Sequence, residues 1–175
     1  TTLGVAIAQW LRNNQTVLVV STSNAAVDVA MRAVLAKSAP SDKRRVLRRG
    51  ACLDPVVSKY TEGGRILAGN IPLAKRVAQA QDRLRRLADR IAERNLAAAQ
   101  LEVLFRERVR YEGVLREFND LVSKAAPAAS SESLVIGCTL ARMVLDKELR
   151  EKRFDVVVVD EASMVSFAYA LAASM

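Results

Sequence analysis

Phe154, Asp155, Val156, Val157, Val158, Val159, Asp160, Glu161, Ala162, Ser163 is the stretch on which the reading of this chain turns. Four consecutive valines behind an aromatic, with no alternation to polar residues, predict a strand buried on both faces, as the central strands of a parallel α/β sheet are. The run then stops on two carboxylates. At the carboxyl end of a parallel strand, where open α/β sheets bind ligands, adjacent acids divide two tasks on a nucleotide. One orients hydrated Mg²⁺ and the other polarises an attacking water, the chemistry known as Walker B. The plainer reading is a strand end that happens to be acidic, with Glu161 near the start of a following helix.

Working outward, the pattern repeats on both sides. Leu134 to Thr139 reads as a buried strand, Leu140 to Arg150 as a helix, and Val165 to Ser174 as a final apolar helix. Near the start, Leu3, Ile7, Ala8, Trp10 and Leu11 fall close to an i, i+3, i+4, i+7 stripe, which predicts a helix over Thr1 to Asn14. Thr16 to Thr22 is a β-branched apolar strand. Ser21, Thr22, Ser23 and Asn24 follow as a turn with helix-capping chemistry. A helix over Ala25 to Lys37 then places Val27, Ala30, Met31 and Val34 inward. Arg44 to Gly50 reads as a short strand, basic outside, with Val46 and Leu47 as its apolar part. Strands alternating with helices predict a parallel α/β sheet.

Into that sheet a long helical segment is inserted. Gly63, Gly64, Gly69, Asn70 and Pro72 mark irregular chain between Pro55 and Gly69. From Leu73 to Lys124 there is no proline and one glycine, Gly113. Val77, Leu84, Leu87, Ile91, Ala98, Leu101 and Phe105 recur at heptad-like steps, and a second phase, Leu104, Tyr111, Leu115, Phe118, Val122, takes over later. As one straight helix this stalk would extend about 78 Å, whereas Ala125 to Ser133, a hinge by composition, could return only about 30 Å. A hairpin turning between Arg94 and Leu101 is therefore favoured over a single rod. The expected division is 1–52 and 131–175 for the sheet and 53–130 for the inserted stalk.

Composition bounds the function. The 175 residues carry 27 Lys or Arg against 19 Asp or Glu, a net +8, so an anionic partner is expected. Between Pro40 and Lys124 stand 19 basic and 11 acidic residues, and the remainder has 8 of each. The whole excess therefore sits in that one segment, most of which is the stalk, where a solvated coiled coil would also be charge-rich. Histidine is absent, which removes His-based zinc sites, His-dependent triads and imidazole bases. Cys52 and Cys138 lack metal-ligand spacing and read as reduced core thiols. With no apolar run of about 18 residues and no signal-peptide pattern, an intracellular, cytoplasmic or nuclear protein with no membrane partner is expected.

Four segments in order carry a family resemblance. Val17 to Asp28 resembles motif Ia of superfamily 1 RNA and DNA helicases, of the branch containing the nonsense-mediated-decay helicase. Val46 to Gly50 resembles that family's strand ending in Arg and Gly, Gly137 to Leu140 the strand of motif Ic, and Asp160 to Ser163 motif II. The resemblance implies a partial RecA-like parallel sheet of P-loop NTPase type, and ATP-driven movement on single-stranded RNA or DNA. It implies that Asp160 serves Mg²⁺, that Glu161 activates the hydrolytic water, and that Ser23, Asn24 and Thr139 contact the nucleic-acid backbone. Small hydroxyl and amide groups at strand-to-helix turns suit that last role, since they bond phosphates without reading bases. Plain helix capping is the alternative use of the same groups.

A loop of the G-x-x-x-x-G-K-[ST] type does not occur in the sequence. In the resembled family it directly precedes the first helix, so the chain is expected to begin just past its lysine or past the hydroxyl residue after it, and Thr1 is a candidate Mg²⁺-binding hydroxyl. A second RecA-like domain with its arginine finger is expected from the parent chain, and the fragment alone is expected to be inactive. Two other classes fit parts of the pattern. A coiled-coil P-loop ATPase of chromosome or repair type would need an L-S-G-G-like signature, which is missing. A non-catalytic basic coiled-coil module binding nucleic acid or protein would need its arginines in line, and here they are interleaved with acids.

Overall fold

Val17, Val19 and Val20 are fully buried and Leu18 nearly so, because the strand they form has strands on both edges and helices on both faces. The computed structural model describes residues 2–92 and 96–164. Its strands are β1 (Val17–Ser21), β2 (Val46–Arg48), β3 (Val135–Thr139) and β4 (Val156–Val159), all parallel, in the order β2-β3-β1-β4. The helices are α1 (Thr2–Arg12), α2 (Asn24–Lys37), α3 (Pro40–Lys43), α4 (Glu62–Gly69), α5 (Ile71–Ile91), α6 (Ala98–Glu132), α7 (Leu140–Leu145) and α8 (Lys147–Glu151), and a 3₁₀ turn spans Val57–Tyr60. The parallel α/β class is the one the alternating pattern predicts.

Two apolar layers hold the sheet. Ile7 and Leu11 of α1 and Val27, Met31 and Val34 of α2 cover Val17, Val19, Val46 and Val135. On the other face Leu140, Met143 and Leu149 cover Leu18, Val20, Leu47, Ile136 and Cys138. Each such side chain stabilises the fold by about 1.5–3 kcal/mol on burial. Cys52 and Cys138 are both free thiols, and burial pushes Cys138 up to about 12.

Several sequence expectations are corrected. Among the described residues the four-valine strand β4 ends the strand order instead of lying inside it, and Val157 is 40 % exposed. Among the described residues β1 is its one strand neighbour, and the helix expected over Val165 to Ser174 lies outside them, as does Thr1. The strand ending in Arg48 is not basic outside. Arg48 is fully buried and Arg49 nearly so, because carboxylates from other elements meet them. The glycine-rich stretch before the stalk is ordered as the 3₁₀ turn and α4. A Cβ on Gly64 would collide with Ser58 O, so glycine there permits a close backbone approach rather than breaking the helix.

The expected hinge from Ala125 is helix instead. The 35-residue α6 runs through Pro127 to Glu132, since the flanking alanines are the strongest helix formers and side chains satisfy its last carbonyls. Ser131 Oγ donates to Ala128 O at 2.9 Å and Ser133 Oγ to Ala129 O at 2.7 Å. The helix expected over Leu140 to Arg150 is broken at Asp146, whose side chain accepts from Glu148 N and starts α8.

The chain divides into two compact units, Thr1–Arg65 with Ala125–Met175, and Ile66–Lys124. Within the second, α5 stops at Ile91 and α6 starts at Ala98, with residues 93–95 outside those described. Arg76 reaches Glu117 at 3.4 Å, so the two helices run back along each other. Val77, Ala80 and Leu87 of α5 and Leu104 of α6 are buried. Ala98 is exposed and Phe105 is 48 % exposed. On α6, Leu104 of the second phase is buried, and Leu101 of the first phase is half-buried, as are Tyr111, Leu115, Phe118 and Val122 of the second.

Candidate nucleotide and nucleic-acid site

β1, β3 and β4 end level with one another. Ser21 stands opposite Thr139, and Val20 opposite Val159, which brings Ser21 to Asn24, Thr139, and Asp160 with Glu161 onto the carboxyl edge of the sheet. The backbone then parts the two acids. Asp160 N donates to Val20 O at 2.8 Å, continuing the ladder. Glu161 has φ 55, in the left-handed region that costs a side-chain-bearing residue roughly 1–2 kcal/mol. Its carboxylate lies near the ends of β1, where Ser21 Oγ and Thr22 Oγ1 donate to Oε2 over long distances of 3.4 and 3.5 Å. A shallow concavity of about 310 Å³ opens here, lined by Ser23, Ala25, Ala26, Val29, Asp160 and Glu161.

Ser23 and Thr139 both cap helices. Ser23 Oγ accepts from Ala26 N at 3.1 Å and Thr139 Oγ1 from Arg142 N at 3.2 Å. Capping uses a lone pair and leaves the hydroxyl proton as a donor, so the two uses of these residues are compatible. Asp160 Oδ1 accepts from Glu161 N at 3.1 Å, and among the described residues Oδ2 has no partner. Mg²⁺ is commonly held by one or two carboxylates together with water and phosphate oxygens. The pair Asp160 and Glu161 fits that pattern. Among the described residues there is no cluster of three or more potential ligands that would hold a metal without such help.

Beside this edge stands a network the sequence reading missed. Arg48, at the end of β2, donates from Nε to Asp28 Oδ1 at 2.7 Å, and from Nη2 to Asn24 Oδ1 at 2.9 Å and Ala51 O at 2.6 Å. Asp28 Oδ2 in turn accepts from Leu53 N at 2.7 Å and Asp54 N at 3.2 Å. Gly50, with φ 97, lets the chain curl round the guanidinium. The β2 end, the loop after it and the first turn of α2 are thereby one hydrogen-bonded unit.

Burial pushes the Asp28 carboxyl up, but the Leu53 N–H, the Arg48 guanidinium and the Asp54 N–H outweigh it and hold the group below its ordinary value of 3.8. A depressed folded-state pKa contributes stability that is present above the unfolded value and lost as pH falls through the folded one. Asp28→Asn is therefore expected to be less stable than the wild type at pH 6, with the gap narrowing below about pH 4. Urea unfolding of both proteins from pH 6 to pH 2 checks this; a constant gap would refute it.

A second cluster surrounds Arg49. Its Nη1 lies 2.7 Å from Glu148 Oε2, and its Nε lies 2.8 Å from Asp146 Oδ2 and 3.6 Å from Glu62 Oε1. Nε makes the close approach without the alignment of a hydrogen bond, so charge rather than geometry joins it to Asp146. Nη1 donates to Ser130 Oγ, and its approach to Glu148 Oε2, like that of Nε to Asp146, is an ion pair without a hydrogen bond. Arg65 Nη2 donates to Val46 O at 2.8 Å and Ser133 Oγ at 3.2 Å, and Lys152 Nζ donates to Ser133 O at 2.7 Å. Desolvation lowers the pKa of both Arg65 and Lys152. A spacing of one or two residues between basic side chains at a strand end was the signal available, and it reads as surface until the partners are known.

No helix among the described residues is long and apolar enough to cross a membrane. No curated protein matches the chain. The family model described as AAA domain matches residues 2–173, taking in the strand ends, the Arg48 and Arg49 clusters and the stalk. With nearly its whole length so matched, on a parallel sheet whose strand ends gather paired acids and capping hydroxyls, the chain belongs to this AAA domain family, a helicase-like ATPase family of superfamily 1.

Proposed function

We propose that the chain is part of an ATP-driven motor that moves along single-stranded RNA or DNA, in the branch containing the nonsense-mediated-decay helicase. The observation that supports this reading is the level ending of β1, β3 and β4. It sets the acid pair beside the first turn of α2 and one strand away from the first turn of α7. Asp160 extends the strand and serves the metal. Glu161, turned aside by its positive φ, receives the proton of the attacking water. Mg²⁺, when bound, supplies charge neutralisation at the phosphates. Ser23, Asn24 and Thr139 hold the nucleic-acid backbone, and Thr1, outside the described residues, is the candidate hydroxyl for the metal.

The phosphate-cradling loop and the second RecA-like domain come, on this reading, from the rest of a parent chain. The test is Mg²⁺-dependent ATP turnover of the full-length protein, with and without oligo-dT or oligo-U. Turnover raised by a single-stranded oligonucleotide is expected. Absence of nucleotide binding in the full-length protein would overturn the reading.

A further inference from the structure

Arginine has only donors, so whichever atom of an asparagine amide faces a guanidinium is its carbonyl oxygen. Arg48 Nη2 stands 2.9 Å from Asn24 Oδ1, and this fixes which way the Asn24 side chain is turned. Its oxygen points into the protein, and Nδ2 is left as a donor that, among the described residues, meets no acceptor. Arg48 itself is held in place, because it is fully buried and bonded also to Asp28, Ala51 O and Arg49 O. Asp28 is held in turn by two backbone N–H groups.

We infer that Arg48 is a positioning residue that presents the Asn24 amide as a hydrogen-bond donor to a backbone phosphate of a single-stranded nucleic acid. The inference rests on the nucleic-acid reading proposed above. Asn24 is half-buried at the first helical position of α2, where the unpaired N–H groups of the helix favour an anion. Its neighbour Ser23 lines the concavity with Asp160 and Glu161, while Asn24 is drawn toward β2. A Cβ on Gly50 would stand 3.6 Å from Arg48 Nη1 and 3.9 Å from Arg142 Cγ, so the Arg48 head lies beside the first turn of α7, which Thr139 caps. An amide contact of this kind positions the strand without reading its bases.

The substitution Asn24→Asp separates this role from a structural one. A carboxylate in place of the amide keeps the acceptor that Arg48 needs, and adds charge attraction to it, but removes the outward donor and opposes a phosphate. In the full-length protein, Asn24→Asp is expected to keep its thermal midpoint while its affinity for fluorescent oligo-U or oligo-dT, read by anisotropy, falls about tenfold or more. In an Arg48→Lys background the same change is expected to cost less than half as much, because the amide is no longer held in one orientation. Affinity of Asn24→Asp within twofold of the wild type, with Ser23→Ala or Thr139→Ala weakening binding, would overturn the inference and leave the motor reading standing. A wild-type protein that binds neither oligonucleotide would overturn both.

Discussion

Replacing Glu161 by Gln in the full-length protein is expected to leave affinity for Mg²⁺·ATP unchanged while lowering turnover about 10²- to 10⁴-fold, the scale of a lost general base. The two acids are consecutive, yet they have different surroundings. Asp160 is bonded into the strand ladder through its N–H, whereas Glu161 leaves it at φ 55 and lies by the Ser21 and Thr22 hydroxyls. Gln keeps the size, the backbone conformation and an oxygen for those hydroxyls, and loses only the capacity to take a proton. Asp160→Asn is expected to weaken metal-dependent nucleotide binding as well as turnover, since it removes charge from the carboxylate assigned to the metal. If both acids merely finished a strand, either change would leave turnover within a few-fold. Nucleotide affinity and turnover measured separately on the two variants decide it, and equal small effects would defeat the assignment.

Arg49→Met is expected to cost about 3–5 kcal/mol of unfolding free energy, the scale of breaking a buried ion pair from one side. Asp146, Glu62 and Glu148 converge on that one guanidinium, and Arg49, Asp146 and Glu62 are all less than a tenth exposed. Removing the cation leaves buried carboxylates facing one another. Arg142 pairs with the same Asp146 at 3.1 Å, but its side chain is 49 % exposed, so Arg142→Met is expected to cost under about 1 kcal/mol, as surface pairs do. Adding Asp146→Asn and Glu62→Gln to Arg49→Met is expected to recover part of the loss. Urea unfolding of these variants is the measurement, and an Arg49→Met protein as stable as Arg142→Met would show the cluster to be without net effect.

Apolar periodicity made the sheet legible and left its ionic interior dark. The runs Val17 to Val20 and Val135 to Cys138 announce strands because nothing polar interrupts them, and the inward face of α2 follows from helical spacing alone. The order of strands is not local information, so the valine run at β4 looks central although, among the described residues, it ends the order. The charged clusters are hidden for a related reason. Arg48 and Asp28 lie 20 residues apart, and Arg49 and Ser130 lie 81 apart. Burial of a charge is a property of the pair, and a single sequence shows its members as two unrelated polar residues. The break at Asp146 escaped notice because it costs the helix nothing visible in composition; it is set by the arginines that claim its carboxylate. Of the candidate site, residue types at strand ends were readable, whereas the turn of Glu161 and the orientation of Asn24 needed coordinates.

Glu62 and Arg65, where the chain leaves the sheet unit, and Ser130 and Ser133, where it returns, are stitched together through Arg49, the Arg65 guanidinium and Lys152. The two ends of the 59-residue segment Ile66–Lys124 are thus pinned side by side by bonds that belong wholly to the sheet unit. The entropy of closing so long a loop grows only with the logarithm of its length, about 0.6 kcal/mol for each doubling, and the pinned ends bear that cost whatever lies between them. A segment held in this way is free to lengthen, shorten or be exchanged over generations without disturbing the strands, so the clamp makes this a place where a new surface can be grown at little thermodynamic risk.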